Sequence, residues 1–119
     1  MELVNLNEKL SQFNEYWEPK VVGELNGQLV KLAKVKGEFV WHHHEDEDEL
    51  FYVVKGELQL LFRDRTVVLR EGEFFIVPRG VEHKPVAAEE VHLMLFEPGT
   101  TLNTGNVRTE RTVEDLDRI

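Results

Sequence analysis

Five histidines occur among the 119 residues, and three of them are consecutive: His42, His43 and His44. Side chains alternate faces along an extended strand, so His42 and His44 point together and His43 points away. Two imidazoles about 6.6 Å apart on one strand face can converge on a single ion. Glu49 lies beyond the acidic stretch Glu45–Asp48, at the head of the next strand-like run, where a strand–turn–strand return sets a carboxylate beside the two rings. His83, shortly after Pro78-Arg79-Gly80, is the natural fourth ligand from a distant strand. Three neutral ring nitrogens and one carboxylate oxygen suit one divalent transition metal: Zn, Fe, Mn, Ni, Co or Cu. A lone His-x-His carries little weight; Glu49 and His83 at punctuated positions turn the pair into a ligand set. There is no cysteine, so no thiolate or disulfide chemistry competes.

Such an ion, six-coordinate and held by four side chains, keeps positions for water, substrate or dioxygen, which separates a reactive site from a closed structural one. Two chemistries follow. A redox ion could take a chelating enol or diol together with dioxygen, giving a dioxygenase. A Lewis acid such as zinc or manganese could polarise a carbonyl–hydroxyl pair, giving an isomerase or lyase that needs a base nearby. The substrate class is a small oxygenated molecule: a sugar, an enol or a hydroxy acid. The alternative is a non-catalytic, metal-dependent module that binds or senses a small molecule.

The elements that must position these residues are read from turn residues and hydrophobic period. Asn5 and Glu8 form a capping box, and Leu6, Leu10 and Phe13 recur at helical spacing, predicting a short helix over about 6–16, ahead of Pro19. From Lys20 the period shortens. Asn26-Gly27 predicts a hairpin joining Val21–Leu25 to Gln28–Val35. Further strands are expected at Glu38–His44, Leu50–Lys55, Glu57–Phe62, Thr66–Leu69, Phe74–Val77, His83–Val86 and Val91–Phe96, with a break at Ala87–Glu90. Many short strands at this rhythm predict an all-β sandwich or barrel. The tail after Pro98 is polar until Val113–Ile119, which is expected to form a short helix or an arm.

Composition narrows the setting. Lys and Arg number 14 against 23 Asp and Glu, a formal net charge of −9. That balance argues against nucleic acid and anionic membranes as partners. No apolar run approaches 18 residues, and the first residues have no basic-then-apolar pattern, so the expectation is a cytoplasmic protein without a signal peptide. With no repeat or linker, residues 1–119 are expected to be one domain, its barrel core at about 20–98.

The spacing of these residues resembles the cupins. Their first motif runs Gly, a short strand, His-x-His, a gap, Glu, six residues, Gly; here it is Gly37, His42, His44, Glu49 and Gly56, with one residue fewer between Gly37 and His42. Their second motif runs Gly, five residues, Pro-x-Gly, two residues, His, three residues, Asn; here it is Gly72, Pro78, Gly80, His83, and Ala87 in place of the Asn. The resemblance covers about residues 37–87 by motif. It implies a double-stranded β-helix (a jelly-roll barrel), a metal held inside it by His42, His44, Glu49 and His83, and a homodimer. More narrowly, the chain resembles small single-domain cupins labelled mannose-6-phosphate-isomerase-like. The loss of the Asn at Ala87 is expected to relax the region behind His83 without removing the metal.

Several further residues are candidates. With Glu49 pointing inward, Phe51 lines the pocket, and by parity Val40 lies beneath His42 while Trp41 faces away. On the last strand His92, Met94 and Phe96 form one alternation and Leu93 and Leu95 the other. The first would put Met94 and Phe96 on the pocket wall and His92 near the metal as a catalytic base. Lys31 and Arg79 are possible anion anchors, although solvated surface accounts for both. Core packing alone accounts for Trp41, Phe74 and Phe75. Glu45–Asp48 reads as a solvated turn whose negative field helps gather cations. Phe13, Trp17, Trp41 and the tail from Thr100 are candidate dimer-interface material, unless the N-terminal helix simply covers its own barrel.

Overall fold

The computed structural model describes residues 1–119. Its elements are α1 (Leu6–Leu10), β1 (Lys20–Leu25), β2 (Gln28–Glu38), β3 (Glu49–Lys55), β4 (Glu57–Phe62), β5 (Thr66–Arg70), β6 (Phe74–Val77) and β7 (His83–Pro98). Every strand pairing is antiparallel. One path runs β1-β2-β7-β3-β6, while β4 joins β5 to the beginning of β7. β7 is therefore shared by both halves of the barrel. Its first residues pair with β4, its last with β3, and β2 runs alongside most of its length.

The Asn26-Gly27 hairpin forms with both residues at positive φ, as the sequence predicts. Leu58, Leu60 and Val53 are fully buried in the main core, with Val35, Leu93 and Val91 nearly so. Burying such side chains supplies most of the driving force that holds the two halves together. No helix is long and apolar enough to cross a membrane.

Several expectations need correction. The helix stops at Leu10, not near residue 16, although Asn5 caps it by accepting from the Glu8 amide at 3.0 Å. Beyond it the Lys34 ammonium takes the Phe13 carbonyl at 2.7 Å, and the Trp17 amide pairs with Lys34, so tertiary bonds replace helical ones. The expected break at Ala87–Glu90 is no break: β7 is a continuous 16-residue strand. The expected strand Glu38–His44 ends at Glu38, and His42 touches the sheet only through an isolated bridge to His83. The tail forms no helix. It crosses the barrel mouth and returns beside β1, where Val21 bonds Asp117 and Ile119.

The helix covers its own chain. Leu10, Phe13 and Leu32 form a small second core against which Met94 packs, and Trp17 belongs to the main core. Phe13 and Trp17 are thus internal and offer no free surface to a partner.

Candidate metal centre

A backbone bridge builds the site. The His42 amide donates to the His83 carbonyl at 3.0 Å, and the His83 amide donates back at 2.9 Å. This fixes two residues far apart in sequence as direct neighbours, with ring centroids 4.4 Å apart. His44 follows on the same side, its ring 5.0 Å from that of His42. Its carbonyl accepts from the Gly80 amide at 2.7 Å, which ties the Pro78–Gly80 turn to the histidine segment. Glu49 opens β3, opposite Val77 of β6. One ligand atom from each of His42, His44, Glu49 and His83 lies within 4.8 Å of the others, and all four residues are buried.

The donors are arranged for a cation. The His42 Nδ1–H donates to the Val40 carbonyl and the His83 Nδ1–H to the Val81 carbonyl, each at 2.9 Å. These bonds select the tautomer that leaves the Nε2 lone pair free, the usual way a ligating imidazole is oriented. His44 Nε2, His83 Nε2 and Glu49 Oε1 have no hydrogen-bond partner although buried. His44 Nε2 and His83 Nε2 stand 3.3 and 3.4 Å from Glu49 Oε1. Buried polar atoms left this way cost free energy unless something occupies the space between them. A divalent ion fits that space and that donor set. Burial, with the nearby His83, pushes His42 down to about 4, so it is neutral at pH 7 and able to ligate. Burial would raise the Glu49 carboxyl, but Glu97, His44 and His83 hold it well below its ordinary value.

The cluster opens into a cavity. Trp17, Phe39, Phe51, Leu93 and Leu95 line it together with His42, Glu49, Glu97 and Asn103. Trp17 and Phe39 stack with centroids 4.8 Å apart, and Phe51 packs edge-on to His83 at 5.9 Å. The tail forms part of the rim. The Asn103 side chain bonds the Arg111 carbonyl and the Val113 amide, while Asn106 accepts from the His43 amide at 2.8 Å.

The structure corrects the alternation along β7. Leu93, Leu95 and Glu97 face the cavity; His92, Met94 and Phe96 face the opposite side. Met94 is taken up by the second core beneath α1. His92 donates to Glu90, which also accepts from Tyr16, so it is no base at the metal. Val40 packs against the main core beside the cavity instead of on its wall. Trp41 faces outward under the Arg63 guanidinium, 3.8 Å from its ring centroid. Arg79 is exposed and paired with Asp48, and the Glu45–Asp48 turn is mostly solvated. Ala87 is a core residue in β7 opposite Gly37, so no turn there lacks a partner.

Sequence reasoning missed a second polar pair. Lys31 Nζ donates to Glu97 Oε1 at 2.8 Å, both side chains 2% exposed, and the Glu97 carboxyl also hydrogen-bonds that of Glu49. Burial and the charge of Glu49 push the Glu97 carboxyl well above its ordinary value, with Lys31 opposing. The signal was parity: Lys31 alternates with Leu29 and Ala33, and Glu97 with Leu93 and Leu95.

Residues 28–99 match the profile of the cupin domain. The chain is 51% identical to a cupin-2 domain protein of Shewanella frigidimarina, with a TM-score of 0.80, covering 81% of this chain and 94% of that one. It is 44% identical to YdbB of Bacillus subtilis over 64 residues, 53% of this chain and 57% of YdbB. It is 28% identical to 3-hydroxyanthranilate 3,4-dioxygenase of Xenopus laevis over 101 residues, 79% of this chain and 36% of the enzyme. The chain thus spans about half the length of YdbB and about a third of the dioxygenase. With both motifs meeting at one buried cluster and most of the barrel matched, the chain belongs to the cupin family.

Proposed function

We propose that this cupin is a metalloenzyme of dioxygenase type. Its substrate is a small, flat molecule with adjacent oxygen donors, and one divalent ion is held by His42, His44, Glu49 and His83. The observation that carries the reading is the junction of the orphaned donor cluster with a cavity lined by the aromatic side chains of Trp17, Phe39 and Phe51. The likeness to 3-hydroxyanthranilate 3,4-dioxygenases supports the same choice over sugar isomerisation. When bound, a redox-active ion supplies the site where substrate and dioxygen meet. The protein lines the cavity with Trp17, Phe39 and Phe51, keeps bulk water out with Leu93 and Leu95, keeps His42 neutral by burial, and orients the His42 and His83 rings through the Val40 and Val81 carbonyls. A cytoplasmic location accords with this reading.

Metal content is the first test. Untagged protein purified without added metal should carry about one transition ion per chain, and His44→Ala/His83→Ala protein almost none. Iron-loaded wild type should then consume oxygen with catechols or 2-aminophenols and not with sugar phosphates. Stoichiometric metal in the double variant, or turnover of sugar phosphates alone, would refute the proposal.

A further inference from the structure

We infer that the Trp17 ring is the gate of the metal cavity, and that it sets the size of molecule able to reach the histidine cluster from a cleft outside it. The inference rests on the reading of the metal centre given above. The cavity beside His42 and Glu49 holds about 40 Å³, room for water-sized groups and for nothing as large as a ring. Outside lies a cleft of about 320 Å³, formed by Tyr16, Trp17 and Glu18 ahead of β1 and by Glu110, Arg111 and Val113 of the tail. Trp17 lines both spaces and is only 6% exposed. Asn103 completes the partition. It lines the inner cavity, and its side chain donates to the Arg111 carbonyl at 2.8 Å and accepts from the Val113 amide at 2.9 Å, both residues of the outer cleft. One ring and one side-chain staple thus stand between the two spaces.

Trp17 is held there against its own preference. Its φ is +63, in the left-handed region that a bulky side chain adopts only at a cost. Two hydrogen bonds enforce it: the amide donates to the Lys34 carbonyl and the indole Nε1–H to the Lys36 carbonyl, each at 2.9 Å. Phe39, a cavity residue, stacks on the ring at 4.8 Å, and the Arg111 guanidinium lies 5.7 Å from its centroid. Core packing needs no strained backbone, and it leaves no open space on both sides of a ring. The tail's share of the wall belongs to no strand, so lifting it opens the passage while every sheet pairing stays in place.

Size-selective binding to cobalt-loaded protein tests this, because cobalt(II) reports a bound ligand through its visible spectrum. Azide, a slender three-atom ion, and imidazole, a ring, each bind through one atom; both are mixed by stopped flow with wild type, Trp17→Ala and Asn103→Ala. In wild type the azide rate should grow in proportion to concentration, whereas the imidazole rate should level off, because opening of the wall limits entry. Asn103→Ala removes two hydrogen bonds from the closed wall, so its imidazole plateau should rise roughly 10-fold while the azide rate changes less than about twofold. Trp17→Ala should abolish the plateau. Thermal melting checks that each variant is folded, and Asn103→Ala, which leaves the core intact, decides the matter if the loss of the buried indole unfolds the chain. An imidazole rate without a plateau in wild type, a plateau unchanged in Asn103→Ala, or an equal gain for azide would overturn the gate and leave the metal centre standing. A cobalt spectrum that responds to neither probe would overturn the reading of the site and this inference with it.

Discussion

Lowering the pH should destabilise the metal-free protein through His42 by a predictable amount. The ordinary imidazole value is 6.5, and burial lowers His42 to about 4 in the folded chain. The unfolded chain therefore binds a proton more readily than the folded one between these values. Stability from this group is complete above about pH 6.5 and is lost as pH falls towards 4. For one site with these two values the loss is about 2 kcal/mol from pH 7 to pH 5, and about 3 kcal/mol by pH 4. Glu97 acts in the opposite sense, since its raised carboxyl costs stability as pH rises through its folded value. The comparison must therefore be a difference between two proteins that share Glu97. We would follow urea unfolding of chelator-treated wild type and His42→Gln at pH 7, 6 and 5. Wild type should lose about 2 kcal/mol more than the variant over that range. Parallel losses, with a difference constant to within about 0.5 kcal/mol, would refute the claim that burial keeps His42 uncharged.

Gly105 has φ +57, and a Cβ there would lie 2.2 Å from the His43 carbonyl oxygen. Gly105→Ala should therefore cost more than about 1 kcal/mol by thermal unfolding and weaken metal binding by displacing the histidine segment. Ala87→Asn puts an amide into the core, where Ala87 is 1% exposed. A loss of about 1–3 kcal/mol is expected without tighter zinc binding in a competition titration. Homodimerisation is proposed through the outer face of β6, where Phe74 and Ile76 are 61% and 50% exposed beside Tyr52 and Leu50. Sedimentation should show a mass near twice 13.9 kDa for wild type and one chain for Phe74→Glu/Ile76→Glu; a monomeric wild type would remove the dimer.

Much of the centre was legible because its chemistry is rare in residue type. Clustered histidines, a returning glutamate and a Pro-x-Gly ahead of His83 rarely coincide without a metal to hold, and glycines at Gly56 and Gly80 mark turns that adopt positive φ. The orientation of β7 was not legible. Both of its alternations are apolar, Leu93 and Leu95 on one and Met94 and Phe96 on the other, because α1 gives the outer face a small core of its own. A pattern of buried and exposed residues cannot choose between two buried faces. The same ambiguity hid Lys31 and Glu97, since a buried ion pair has the same residue types as two surface charges. The helix length failed for a different reason: the Glu8 carbonyl that the Gln12 amide would need is taken by the Ser11 hydroxyl at 2.6 Å, and that amide turns to the Lys9 carbonyl instead.

The uninterrupted β7 sets the dimensions of the cavity. His83 and Glu97 stand near its two ends, and fourteen residues of straight strand would span roughly 46 Å, more than the 41 Å long axis of the whole molecule. Both nevertheless meet Glu49. The strand must therefore curl back on itself, and the register shows where. Val35 pairs with Val91 and Gly37 with Ala87, so β7 carries extra residues across Ala88–Glu90. Such a bulge bends and twists its strand. This stretch is solvent-exposed, tied only through Glu90 to Tyr16 and His92, so inserting or deleting two residues there, which keeps the alternation of the strand that follows, would act as a caliper. It would reset the gap between the metal ligands and Glu97 while leaving every residue in the cavity unchanged.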